Sequence, residues 1–84
     1  MNVYQKTQTI ADKLTKYYVD KGIAVQVGYQ FLSNNAQVEF SITFVVNKSM
    51  ETHIQYMLID LINGLEPQQC YESLLALFDS VAPH

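Results

Sequence analysis

Residues 23 to 46 carry the clearest pattern in this chain, an alternation of apolar and polar positions written twice. Ile23, Val25, Val27, Tyr29 and Phe31 alternate with Ala24, Gln26, Gly28 and Gln30, and Val38, Phe40, Ile42, Phe44 and Val46 alternate with Glu39, Ser41, Thr43 and Val45. A period of two rich in β-branched and aromatic residues predicts two half-buried strands. Between them Ser33, Asn34, Asn35 and Ala36 supply turn chemistry, since Asn tolerates positive φ and hydrogen-bonds its own backbone. Closing that loop with Leu32 opposite Gln37 sets Phe31 against Val38, Tyr29 against Phe40, Val27 against Ile42, Val25 against Phe44 and Ile23 against Val46. All the apolar residues then share one face, and a slip of one residue would turn them to water.

A second pattern, at three-and-four spacing, predicts helices on either side. Val3, Thr7, Ile10, Ala11, Leu14, Tyr17 and Tyr18 mark a first helix over residues 3 to 21. Asn2 is placed to cap it, with Gln5 completing a capping box, and Gly22 to end it in the left-handed conformation. Met50, Ile54, Met57, Leu58, Leu61, Ile62 and Leu65 predict a second helix over 50 to 63, capped by Asn47 or Ser49 and closed by Gly64. On that helix Tyr56 and Ile59 point away from the stripe and stand exposed in an isolated monomer. Pro67 suits the first turn of a third helix, with Cys70, Tyr71, Leu74, Leu75, Leu77, Phe78 and Val81 as its apolar stripe. The expected fold is α+β in the order α-β-β-α-α, an antiparallel hairpin with helices packed on one face, as a single domain over residues 1 to 84.

Such a hairpin has two bare edges, and residues 23 to 46 guard them with no proline, no lysine and one charge, Glu39. Three covers are open: a helix of the same chain, the same strand of a second copy, or a strand of another protein. Two-fold pairing of hairpins into a four-stranded sheet is the favoured expectation, because closed dimers are the commonest oligomers.

Composition narrows the function classes. A chain of 84 residues buries roughly 60% of its unfolded surface, and its single cysteine leaves no internal disulfide to compensate. All five basic residues are lysines and the net charge is −3, so the guanidinium fork that reads phosphate and guanine is missing. Direct nucleic-acid binding is therefore not expected, nor is membrane insertion, since no apolar run approaches a span. With no signal-peptide pattern ahead of the first amphipathic segment, the expected setting is cytoplasmic. Lysines gather before residue 22, whereas Glu51, Asp60, Glu66, Glu72 and Asp79 fill the last third without one. That polarity reflects helices lying side by side, or an acidic face of Glu66, Glu72 and Asp79 that meets a basic partner.

No catalytic, cofactor or metal motif survives inspection. Gly22, Gly28 and Gly64 are isolated, and His53, Cys70 and His84 lack the close pairing that zinc sites use. Cys70 falls on an apolar stripe, the place of a buried inert thiol, and Tyr17, Tyr18, Tyr29 and Tyr71 are expected at the core rim with hydroxyls in water. The expectation is thus a small non-catalytic interaction protein of adaptor, inhibitor or chaperone-like kind. It acts by covering another protein's surface, as a homodimer, without cofactors. Its contact residues are Tyr56 and Ile59 on helix two with Gln26, Gln30, Glu39 and Thr43 on the polar sheet face. Two alternatives stand beside it: a small-molecule binder or enzyme subunit with a pocket between hairpin and helices, and an acidic inhibitor of a nucleic-acid-handling enzyme.

Overall fold

In the computed structural model, residues 1 to 83 are described, and they form one antiparallel sheet with helices on one of its faces. The elements in chain order are α1 (Val3–Asp20), β1 (Val25–Leu32), a single 3₁₀ turn (Ser33–Asn35), β2 (Gln37–Val46), β3 (Ser49–Leu58), α2 (Ile59–Gly64) and α3 (Pro67–Asp79). Strand order is β1-β2-β3.

The first hairpin has the register its alternation dictates. Val25 faces Phe44, Val27 faces Ile42, Tyr29 faces Phe40, Phe31 faces Val38, and Leu32 with Gln37 flank the loop. Ala36 takes the left-handed conformation there, with φ 50°. On α1 the capping box is complete: Asn2 Oδ1 accepts from the Gln5 amide at 2.9 Å, and Gln5 Oε1 accepts from the Asn2 amide at 3.0 Å. Gly22 follows the helix at φ 76°, where a Cβ would be strained.

The class is the expected α+β, but the segment after the hairpin departs from expectation. Residues 49 to 58 form a third strand on the free side of β2, not a helix over 50 to 63, and only Ile59–Gly64 is helical. The spacing that suggested a helix is ambiguous: Met50, Ile54 and Leu58 recur every four residues, which lies near one helical turn and is also a multiple of the strand period. Tyr56, off the helical stripe, completes the strand alternation. Two further forces decide the matter. Asn47 and Lys48 both hold positive φ, 49° and 68°, forming the primed two-residue turn that links adjacent antiparallel strands. The edge of β2 also presents a row of amides and carbonyls, which β3 satisfies.

The cover on β2 is therefore a strand of the same chain, and each chain brings three strands to any assembly, so a four-stranded sheet from two hairpins does not fit. Side chains of α1 (Ile10, Leu14, Tyr18), β2 (Val38, Phe40, Ile42, Phe44), β3 (Met57), α2 (Ile62) and α3 (Cys70, Leu74, Phe78) make the core. Tyr18 packs edge-on against Phe44 with ring centroids 5.0 Å apart. Leu77 and Val81, expected on the α3 stripe, are exposed. The Lys6 ammonium donates to the carbonyls of Ile62 (3.4 Å), Asn63 (3.0 Å) and Leu65 (3.0 Å), closing the C-terminal end of α2 and tying it to α1.

Candidate functional site

The face of the sheet turned away from the helices is built from every second residue of three strands. Across it run Gln30, Glu39 and Tyr56; Gly28, Ser41 and Ile54; and Gln26, Thr43 and Thr52. The strands thus bring five of the six expected contact residues, Gln26, Gln30, Glu39, Thr43 and Tyr56, onto one surface. The hydroxyls of Thr43 and Thr52 lie 2.9 Å apart and join β2 to β3 there. Ile59 does not belong to it. It opens α2, its amide donates to the Ala36 carbonyl at 2.9 Å, and its side chain packs half-buried against the core.

Three apolar residues that the helical stripe assigned to the core, Met50, Ile54 and Leu58, line this face instead, together with Tyr56. Met50 is 70% exposed, Ile54 45%, Tyr56 52% and Leu58 50%, with Val45 of β2 beside Met50. The helix side of the same strand carries Glu51, His53, Gln55 and Met57, of which Met57 alone joins the core. β3 is thus amphipathic in the inverse sense, polar toward the helices and apolar toward solvent. Alternation in the sequence held this signal, but Met57 next to Leu58 masked it by completing a helical stripe.

The strand is also an edge. The Ile59 amide bonds toward β2, and the two-residue turn pairs Val46 with Ser49, so odd-numbered residues of β3 direct their main-chain groups to β2. Met50, Thr52, Ile54, Tyr56 and Leu58 direct theirs outward. On the other side of the sheet, the inner face of β1 packs on α1: the Tyr4 and Phe31 rings are 4.8 Å apart, and the Tyr29 hydroxyl donates to Gln8 Oε1 at 2.6 Å.

Each of the three acidic residues has a partner within the chain. Glu66 caps α3 in a box with Gln69, Glu72 accepts from Gln68 Nε2 at 3.1 Å, and Asp79 accepts from the Tyr18 hydroxyl at 3.3 Å. Tyr18 is fully buried, not at the rim, and burial with Asp79 beside it pushes its phenol well above the ordinary range. Lysines of α1 approach α3 as adjacent helices would, with Lys13 Nζ donating to Gln68 Oε1 at 3.0 Å and standing 5.9 Å from the Tyr71 ring centre.

Cys70 is buried and its thiol is pushed up by that burial, away from the thiolate a nucleophile requires. Among the described residues His53 Nε2 is enclosed without a partner, and its ring lies 6.1 Å from that of Phe44. Among the described residues no group of three His, Cys, Asp or Glu side chains is placed to hold a metal ion. Clefts of about 300 to 360 Å³ mark the surface among the described residues, and one of 360 Å³ is lined by Lys21, Ile23, Asp79 and Pro83. Among the described residues no helix is long and apolar enough to cross a membrane.

These features define an α+β protein with a three-stranded antiparallel sheet, a helical layer on one face and an open second face. No protein-family model, curated protein or solved structure matches the chain.

Proposed function

We propose that this protein is a small non-catalytic interaction module, working in the cytoplasm, that binds a segment of another polypeptide across the open face of its sheet. The observation that carries this reading is the inverted strand: Met50, Ile54, Tyr56 and Leu58 face water while Glu51, His53 and Gln55 face the helices. An aromatic and three flexible or branched aliphatic side chains in one row supply the anchoring groups that interfaces favour. Beside the row, Gln26, Gln30, Glu39 and Thr43 offer hydrogen-bonding groups with one charge among them. The surface fits an amphipathic segment whose apolar side lies along β3 and whose polar side crosses β2 and β1. Its mechanism is occupancy: the bound segment is withheld from other contacts.

Placing a photo-crosslinking residue at Tyr56 or Leu58 in the producing cell tests this. Polypeptide adducts are expected from both positions, fewer when Ile54→Ser is added, and none from the exposed Asp12 on α1. Equal labelling from Asp12 and Tyr56, or none from either, would remove the reading. A small-molecule role has one observation in its favour, the cleft between Lys21 and Asp79, whose volume lies at the low end for ligand sites. A Lys21→Ala chain that loses a thermal shift given by a small polar compound would support it.

A further inference from the structure

The outward edge of β3 is separate from the apolar face just described, and it carries its own occupant. We infer that β3 pairs antiparallel with β3 of a second copy about a two-fold axis at Ile54, joining two three-stranded sheets into one of six strands.

Main-chain geometry limits the registers. Hydrogen bonds across the new seam must run between residues whose amides and carbonyls point outward, namely Met50, Thr52, Ile54, Tyr56 and Leu58. With the axis at Ile54, Ile54 meets its own mate, Thr52 meets Tyr56 and Met50 meets Leu58, and all five residues bond, giving about ten main-chain hydrogen bonds across the seam. The apolar rows of the two copies then lie side by side on the open face, doubling its contact line.

Charge selects the same register. Glu51 is the strand's single charged residue. It faces Met57 of the other copy, and the two Glu51 side chains stand six positions apart, roughly 20 Å by strand rise and well past a Debye length. Just beyond the strand ends, Lys48 in the β2–β3 turn of each copy and Asp60 in the first turn of α2 of the other come to the same end of the seam. Lys48 is the lone lysine after Lys21, and Lys16 with Asp20 is the one ion pair among the described residues, so Lys48 and Asp60 are both available. Other axes do worse: Thr52 brings the two Glu51 side chains within two positions of each other, Tyr56 leaves the first half of the strand unpaired, and His53 sets imidazole on imidazole with Lys48 beside Leu58. A foreign strand would be under no pressure to match this internal symmetry, and the second copy matches it twice.

An edge seam of this length sits at the small end of stable interfaces, so dissociation in the range of about 1 to 100 μM is expected. Sedimentation equilibrium across a dilution series should move between 9.6 kDa and twice that mass. Under mild oxidation Ile54→Cys should form a disulfide dimer, since paired Cα atoms about 5.5 Å apart lie within disulfide reach. Met50→Cys alone should not, while Met50→Cys mixed with Leu58→Cys should; the wild type, with Cys70 buried, is the control. Lys48→Glu and Asp60→Lys should each raise the dissociation constant about 3- to 10-fold, and the double swap should restore it. A mass of 9.6 kDa at all concentrations up to several hundred micromolar overturns the inference, as does a dimer that Ile54→Cys fails to trap or that ignores the charge swap. A monomer that still labels a foreign polypeptide through Tyr56 would sink the pairing and leave the proposed function standing.

Discussion

Met57 and Leu58 are neighbours in the chain and opposites in the fold, and truncating each to alanine separates a strand from a helix at this position. On a helix both would sit on the core stripe and cost alike. On β3, Met57 is 7% exposed within the core cluster and Leu58 is 50% exposed on the open face. Met57→Ala removes buried methylenes and leaves a cavity, a loss of about 2 to 4 kcal/mol. Leu58→Ala gives up roughly half of a leucine's transfer energy and leaves no cavity, about 1 kcal/mol or less. A domain of this length has a total stability of about 4 to 12 kcal/mol, so the first loss is a large share of the whole. In a domain this small each kcal/mol moves the midpoint by about 4 to 8 °C, so Met57→Ala should lower Tm by about 10 to 25 °C and Leu58→Ala by less than about 8 °C. Urea titration with unchanged slope checks the free energies, at protein concentrations below about 1 μM so that self-association adds nothing. Equal losses at the two positions would refute the strand and the open face built on it.

Lys48 holds φ 68° in the β2–β3 turn, so Lys48→Gly should stabilise the fold by about 0.5 to 1 kcal/mol, read as a raised urea midpoint. Lys6→Met keeps the aliphatic stem but strips three carbonyls at the end of α2 of their donor, and should cost about 1 to 2 kcal/mol, with faster amide exchange in α2 as a local readout. Tyr18→Phe should cost about 0.5 to 1.5 kcal/mol at neutral pH. Because the phenol is raised in the fold, its contribution is whole below the unfolded value near 10 and is lost as pH climbs above it. The gap between wild type and variant should therefore shrink above about pH 10, and a gap that widens there would reverse the argument.

The legible part of the fold is the part in which one period excludes the other. Val25 to Phe31 and Val38 to Phe44 alternate without any helical stripe, and the pairing was fixed by Asn34, Asn35 and the length of the loop. The α1 stripe, its Asn2/Gln5 cap and Pro67 at the start of α3 were equally unambiguous. Residues 49 to 58 satisfy both periods, and what decided between them lies outside their own sequence: a two-residue turn without glycine at Asn47 and Lys48, and the border of β2 that β3 pairs with. The polar members of the candidate site were visible, since Gln26, Gln30, Glu39 and Thr43 fall opposite the apolar set of the hairpin. Met50, Ile54 and Leu58 were hidden by the same ambiguity, and Ile59 was misplaced with them.

The apolar outer face of β3 gains nothing from the core of its own chain. Two long helices do not fully roof three strands: Val25, Val27, Tyr29 and Phe31 of β1 are only half-buried, and so are His53 and Gln55 of β3. Polar residues are tolerated on the inner side of β3 because it lies at the rim of the roof, so the inner pattern has a structural cause. The outer one has none within a single copy, where Thr or Gln at Met50, Ile54 and Leu58 would serve the strand equally well and lower its tendency to pair. An edge strand that faces solvent with four apolar side chains, and that carries one charge along its whole length, is the reverse of how such borders are normally protected. What distinguishes β3 is that its exposed groups are useful only to something outside the chain. Main-chain bonds along the edge and side chains along the face are two separate offers, and in the proposed pairing a second copy would take the first while leaving the second doubled in length.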